Sequence, residues 1–266
     1  MKRVLITGIN SDIGRALTKR ILDSRTVLVD GTFRKDSVNV ELLKKSKCRL
    51  FQVDFSHSDE VAEFNQKTNF NTYDAIYFLH GSLNPIGKFS QVSFADWQQN
   101  IYLNCTSILL TLHSSIPKLK HGCRIITLAG GGVNGATENY SAYTLSKISL
   151  LKMTELLAAE YPDLLFFNLG PGFVDTAIHQ QTLNANENAG KAYQETLRRY
   201  QQNEFVPMEK VVNALTFFLA DAPSSFSGRN FSAATDCMQS ERLFDLLTSS
   251  DDAFKLRRAN NDFSPK

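Results

Sequence analysis

The run Arg3-Val4-Leu5-Ile6-Thr7-Gly8-Ile9-Asn10-Ser11-Asp12-Ile13-Gly14-Arg15 reads as a strand that turns sharply into a helix. Its first five residues are β-rich, and a helical pattern starts at Ile13. A glycine at the strand end permits a tight turn, and the second lets the helix pack close. Backbone N–H groups at that helix start then face an anion such as a pyrophosphate. The same alternation continues along the chain. Strands are expected at Arg3–Thr7, Thr26–Arg34, Arg49–Asp54, Ala75–Leu79, Arg124–Leu128, Leu164–Asn168 and Asn230–Ser232, with helices near 13–23, 36–46, 58–68, 93–119, 141–160 and 208–220. Strands separated by helices require right-handed crossovers, so the pattern predicts a doubly wound α/β parallel sheet of about seven strands with helices on both faces. Ligands of such a sheet sit beyond the carboxyl ends of its strands, where the strand order reverses.

Composition narrows the possible partners. With 29 basic against 27 acidic residues the net charge is +2, which suggests no nucleic acid partner. The opening apolar run Val4-Leu5-Ile6 is too short for a signal peptide, and no run approaches a bilayer span, so neither export nor a membrane is expected. Cys48, Cys105, Cys123 and Cys237 are scattered without C-x-x-C spacing, which points to free thiols in the cytoplasm. The histidines show no i, i+4 ligand pair, so no metal is expected. One domain is expected over 1–240, with a polar, Gln- and Asn-rich stretch at 177–205 suited to a mobile substrate lid and a C-terminal extension at 241–266. For that extension the expectation is a surface helix and then a loose end.

A second motif, Tyr140-Ser141-Ala142-Tyr143-Thr144-Leu145-Ser146-Lys147, begins a helical pattern. Tyr143 and Lys147 are four apart and so share one helix face. A cation beside a phenol favours phenolate, which lowers the tyrosine pKa and makes it a usable proton donor.

Together these motifs resemble the short-chain dehydrogenase/reductase family, a Rossmann-type fold. The family opening T-G-x-x-x-G-x-G is matched by Thr7, Gly8 and Gly14, with Asp12 in place of the middle glycine. The resemblance implies cofactor contacts from Gly8, Asn10, Ser11, Asp12, Ile13 and Gly14. The Asp12 carboxylate would repel a phosphate unless turned away as a helix N-cap or offset by Arg15. Phe33 and Arg34 end the second strand, 20 residues past Gly14 for Arg34. An arginine there suits the 2′-phosphate of NADP(H), whereas an acid would suit NAD(H). NADP(H) is therefore favoured, with NAD(H) possible if a register slip brings Asp30 into play. Asp54, with Phe55 after it, resembles the family's adenine-contacting aspartate. The family's N-N-A-G reads Phe78-Leu79-His80-Gly81, and His80 is expected to line the nicotinamide side rather than to titrate.

The resemblance further implies catalysis by Tyr143 as proton donor or acceptor, with Lys147 lowering its pKa and binding the ribose and Asn104 completing the proton relay. Pro171, Gly172, Val174 and Thr176 match P-G-x-V-x-T, which would hold the nicotinamide carboxamide. The likeness fails at the catalytic serine. Its register, about 13 residues ahead of Tyr143, falls on Ala129 and Gly130. Thr127, Asn134 or Ser141 are the candidate substitutes; alternatively Gly130, Gly131 and Gly132 clear space for a substrate group or backbone amide.

The expected function is NADP(H)-dependent hydride transfer between nicotinamide and a small-molecule carbonyl or alcohol. The alternative is a cofactor-binding regulatory or scaffold protein with little catalysis; a redox-neutral epimerase or dehydratase is disfavoured, since those relatives usually carry a larger substrate domain. A homodimer or homotetramer packed through the helices beginning near 94 and 141 is implied by the resemblance.

Overall fold

Runs such as Val4-Leu5-Ile6 and Ala75-Ile76-Tyr77-Phe78 are apolar at successive positions, which a strand tolerates only when both its faces are covered. The computed structural model, which describes residues 1–46 and 48–258, shows that arrangement. Seven strands form one sheet: β1 (Lys2–Thr7), β2 (Val27–Phe33), β3 (Arg49–Gln52), β4 (Ala75–Phe78), β5 (Arg124–Leu128), β6 (Leu165–Gly170) and β7 (Arg229–Ser232). All are parallel in the order β3-β2-β1-β4-β5-β6-β7, so the order reverses between β1 and β4.

The helices are α1 (Asp12–Asp23), α2 (Val38–Lys45), α3 (Ser58–Lys67), α4 (Phe94–Ile101), α5 (Ser107–Ser115), α6 (Ser141–Glu160), α7 (Ile178–Ala185), α8 (Lys191–Gln202), α9 (Met208–Ala220) and α10 (Glu241–Ser249). Alternate strand residues face opposite layers. Val4, Ile6, Tyr77, Ile126 and Phe167 pack under α1 and α9, while Leu5, Ile76, Phe78, Ile125 and Phe166 pack under α3, α5 and α6.

Three stretches depart from expectation. The long helix expected over 93–119 is broken into α4 and α5 by a π-helical turn at Tyr102–Thr106 and ends in a 3-10 turn at Ile116–Lys118, where Pro117 cannot continue an α-helix. The polar stretch 177–205, for which no helix is expected, forms two helices, α7 and α8, joined by a 3-10 turn. Beyond β7, α10 is a surface helix, as expected, mostly exposed but with Leu243 and Leu247 buried in the core. The chain stays packed after it: the Arg229 guanidinium donates to the carbonyls of Leu247, Ser250 and Ala253, and Phe254 stacks on Phe231 at 5.2 Å. The last part of the expected loose end, 259–266, lies outside the described residues. No helix among the described residues is long and apolar enough to cross a membrane.

Candidate active site

The turn from β1 into α1 is built as its composition requires. Ser11 is the N-cap of α1, its hydroxyl accepting from Gly14 N at 3.1 Å. A Cβ on Gly14 would come within 2.6 Å of the Gly8 carbonyl, so only glycine lets the helix start this close. Asp12 is therefore not the N-cap. It is the first helical residue, and its carboxylate is taken up by Arg15 at 2.8 Å and by the backbone N–H of Ala177 at 2.8 Å. Arg15 also donates to Asn39 at 3.0 Å.

At the end of β2, Phe33 is buried and Arg34 is exposed immediately beyond the strand. Asp30 pairs with Leu5 of β1, in mid-strand, where its carboxylate accepts from Tyr73 Oη at 2.7 Å. It lies buried inside the strand rather than at its carboxyl end. Asp54 accepts from Ser56 N and Oγ at 2.9 and 2.6 Å. Partial burial pushes its pKa up, but those bonds, with Arg34 and His57 nearby, bring it below the ordinary value.

Phe55 lies buried against His80, with ring centroids 4.1 Å apart. His80 shares a 2.7 Å hydrogen bond with Thr7 Oγ1, and its other nitrogen lies 3.4 Å from Ser107 Oγ. Burial, with the Lys147 charge adding to it, pushes the imidazole down to about 3. His80 is thus a neutral strut at physiological pH and not a titrating group.

Tyr143 and Lys147 project from the first turns of α6, with the ammonium 5.5 Å from the phenol ring centroid. They are only 9% and 4% exposed. Gly81 backs onto both Asn104 Oδ1 and Lys147 Nζ. Asn104 is fixed from every side: Oδ1 accepts from Ser82 N at 3.0 Å, and Nδ2 donates to Ser82 O, Asn100 O and Asn100 Oδ1. The expected depression of the tyrosine pKa is overturned. Burial pushes Tyr143 up to about 12, and burial brings Lys147 down to about 8, with Cys105 working weakly against it. Loss of water penalises both charged forms.

Asn10, Ser11, Asp12, Ile13, His80, Gly81, Tyr143, Lys147, Pro171, Gly172, Val174 and Thr176 all line one cavity of about 830 Å³ at the carboxyl ends of the strands. Gly8, Gly14, Phe33, Arg34, Asp54, Phe55 and Asn104 stand outside its lining, Phe55 stacked on His80 and Asn104 behind Gly81. At the end of β5 the space expected over the glycines is partly filled. A Cβ on Gly130 would lie 2.5 Å from Tyr143 Cε1 and 2.7 Å from its oxygen, whereas one on Gly131 would meet open space. Among the hydroxyl and amide groups named as substitutes, Thr127 is buried and accepts from Asn168 Nδ2 at 2.8 Å, and Ser141 accepts from Trp97 Nε1 at 2.9 Å. Asn134 alone of the three reaches the cavity.

Residues 8–234 match the family described as enoyl-(acyl carrier protein) reductase. The curated relatives include the 3-oxoacyl-[acyl-carrier-protein] reductase FabG of Aquifex aeolicus, 25% identical over 236 residues that make up 84% of this chain and 92% of that protein. An uncharacterized oxidoreductase of Bacillus subtilis, YvrD, is 26% identical over 248 residues, 85% of this chain and 92% of its own. The chain belongs to the short-chain dehydrogenase/reductase family. In fold it is similar to the solved KRED1-Pglu enzyme, with a TM-score of 0.79, 20% identity, and coverage of 86% of this chain and all of that one.

The family motifs direct attention to the strand ends, and several cavity residues lie elsewhere. Asn39 at the start of α2 and Tyr140, ahead of α6, both line it. From α8 come Ala192, Glu195, Thr196 and Arg199, a helical stripe that the periodicity of the sequence could have revealed beneath its polar composition. Gln181 of α7 accepts from Ser82 Oγ at 2.9 Å and Leu83 N at 2.8 Å, pinning the loop after β4; no sequence signal marks it.

Proposed function

We propose that this protein is an NADP(H)-dependent oxidoreductase acting on the carbonyl or alcohol of a small molecule, with Tyr143 as proton donor or acceptor. The observation that carries the reading is the buried Tyr143 and Lys147 pair at the wall of a cavity opening at the sheet's switch point. The chain's residues fit the nucleotide: Ser11, Asp12 and Ile13 at the start of α1 line the cavity, and Lys147 is a buried ammonium facing it. The helix start at Ser11–Gly14 would take the pyrophosphate, and Lys147 the ribose hydroxyls. Arg34 would take a 2′-phosphate, and Asp54 would flank the adenine. Pro171–Thr176 would hold the carboxamide. A bound nicotinamide supplies or accepts the hydride.

In this reading Tyr143 holds the proton at its phenolic oxygen, and approach of substrate and ribose hydroxyls replaces the solvation that burial removed. Lys147 supplies the positive charge, and Asn104 fixes the backbone around it as part of the proton relay. With Gly130 closed off by the Tyr143 ring, the family's catalytic serine has no counterpart there, and Asn134 is left to hydrogen-bond a substrate oxygen. Residues 177–205 act as the substrate lid on a domain spanning 1–240. Copies associate through the α4 and α6 faces, where Phe89 and Phe94 are 60% and 59% exposed and both pack on Trp97 at 5.7 Å. The free thiols suit a cytoplasmic location. No feature of the site specifically favours a purely regulatory or scaffold role.

The test is NADPH oxidation by the purified protein with a panel of aldehydes, ketones and keto-sugars. Turnover on at least one class is expected; NADPH binding without turnover on any of them would overturn the catalytic assignment.

A further inference from the structure

Among its relatives' motif positions, Asp12 replaces a glycine, and that replacement has a structural counterpart. One carboxylate oxygen meets Arg15 at 2.8 Å, and the other accepts from the backbone N–H of Ala177 at 2.8 Å. Ala177 immediately precedes α7, so a single carboxylate stands at the start of two helices, α1 and α7, where helix dipoles favour a negative charge. Arg15, itself held by Asn39, balances that charge on the nucleotide side. Glycine has no group that could make either bond.

We infer that Asp12 is a positioning residue that fastens the segment leading into α7 to the nucleotide-binding turn. The bond crosses 165 residues of chain and bridges the two walls of the same cavity. Thr176, the neighbour of Ala177, is on the stretch proposed to hold the nicotinamide, so the fastening sets the position of that stretch before any ligand arrives. The consequence for the nucleotide rests on the function proposed above; the fastening itself does not.

Two measurements on the full chain separate these. Hydrogen exchange of backbone amides in 176–185, without nucleotide, should accelerate about tenfold or more in Asp12→Ala and in Asp12→Gly, the residue the family carries. Asp12→Asn, whose amide oxygen still accepts from Ala177, should stay within about threefold of the parent. NADPH titrated by fluorescence should bind more weakly to Asp12→Ala by about fivefold, from loss of preorganisation. Exchange in 176–185 unchanged by Asp12→Ala or Asp12→Gly, or accelerated equally throughout the chain, would overturn the inference. Local acceleration with no NADPH bound even by the parent would leave the fastening standing and sink the proposed function instead.

Discussion

The two walls of the cavity are held in different ways. On the side proposed for the nucleotide, the β1–α1 turn and the end of β4 are fixed by a cap, close backbone approach and the short Thr7–His80 bond. On the side proposed for the substrate, the wall after β5 is a run of three glycines, and the cover is two helices attached through side chains such as Gln181 to Ser82 and Tyr140 to Thr182. Backbone geometry permits few alternatives at the first wall, where Gly8, Gly14 and Gly81 keep the family's glycines while Asp12 and His80 depart from its pattern. Side-chain attachments such as those of the second wall are the more replaceable kind.

Four experiments would break or sharpen that contrast. The largest effect is expected from Tyr143→Phe, which removes the ionisable phenolic proton of that side chain. Turnover should fall about a hundredfold or more while NADPH affinity stays within about threefold. Retained turnover would mean that the proton comes from the substrate wall instead.

Next, Gly130→Ser adds a hydroxyl at the end of β5 but drives its Cβ into the Tyr143 ring. Overpacking of this kind costs about 1–3 kcal/mol, so urea unfolding should show a lower midpoint and turnover should drop. A gain in turnover would show that the ring yields and that the glycines are merely space.

Arg34→Ala should weaken NADPH binding about tenfold and leave NADH nearly unaffected, as measured by fluorescence titration. Equal losses for both would mean that Arg34 does not read the 2′-phosphate.

The smallest expected effect is a pH limb. Burial holds Lys147 near 8, so its ammonium, present below that pH, is lost as pH rises through it, and kcat/KM for carbonyl reduction should decline above about pH 8. The stability effect has the opposite sense. The folded value lies below the unfolded one, so the cost of burying the ammonium is felt in full below about pH 8 and is relieved toward the ordinary lysine range. Tyr143, raised to about 12, stays protonated throughout that window. A limb displaced to pH 10 or above would mean that bound ligands restore the solvation the pair lacks.

The composition of the chain determined a good deal unaided. Apolar strands at both parities, separated by helices, can be buried only as a parallel sheet covered on two sides, and the spacing of Gly8 and Gly14 has meaning only at a strand-to-helix turn. Tyr143 and Lys147 share a helix face whatever surrounds them. Three-dimensional packing decided the rest, because it depends on which groups lose water and which distant atoms meet. The separation of Asp30 from the cofactor end, the bond from Asp12 to Ala177, the neutral His80 and the raised Tyr143 all follow from neighbours far away in the chain. Periodicity records the face on which a residue lies; desolvation and hydrogen-bond partners are properties of the assembled fold.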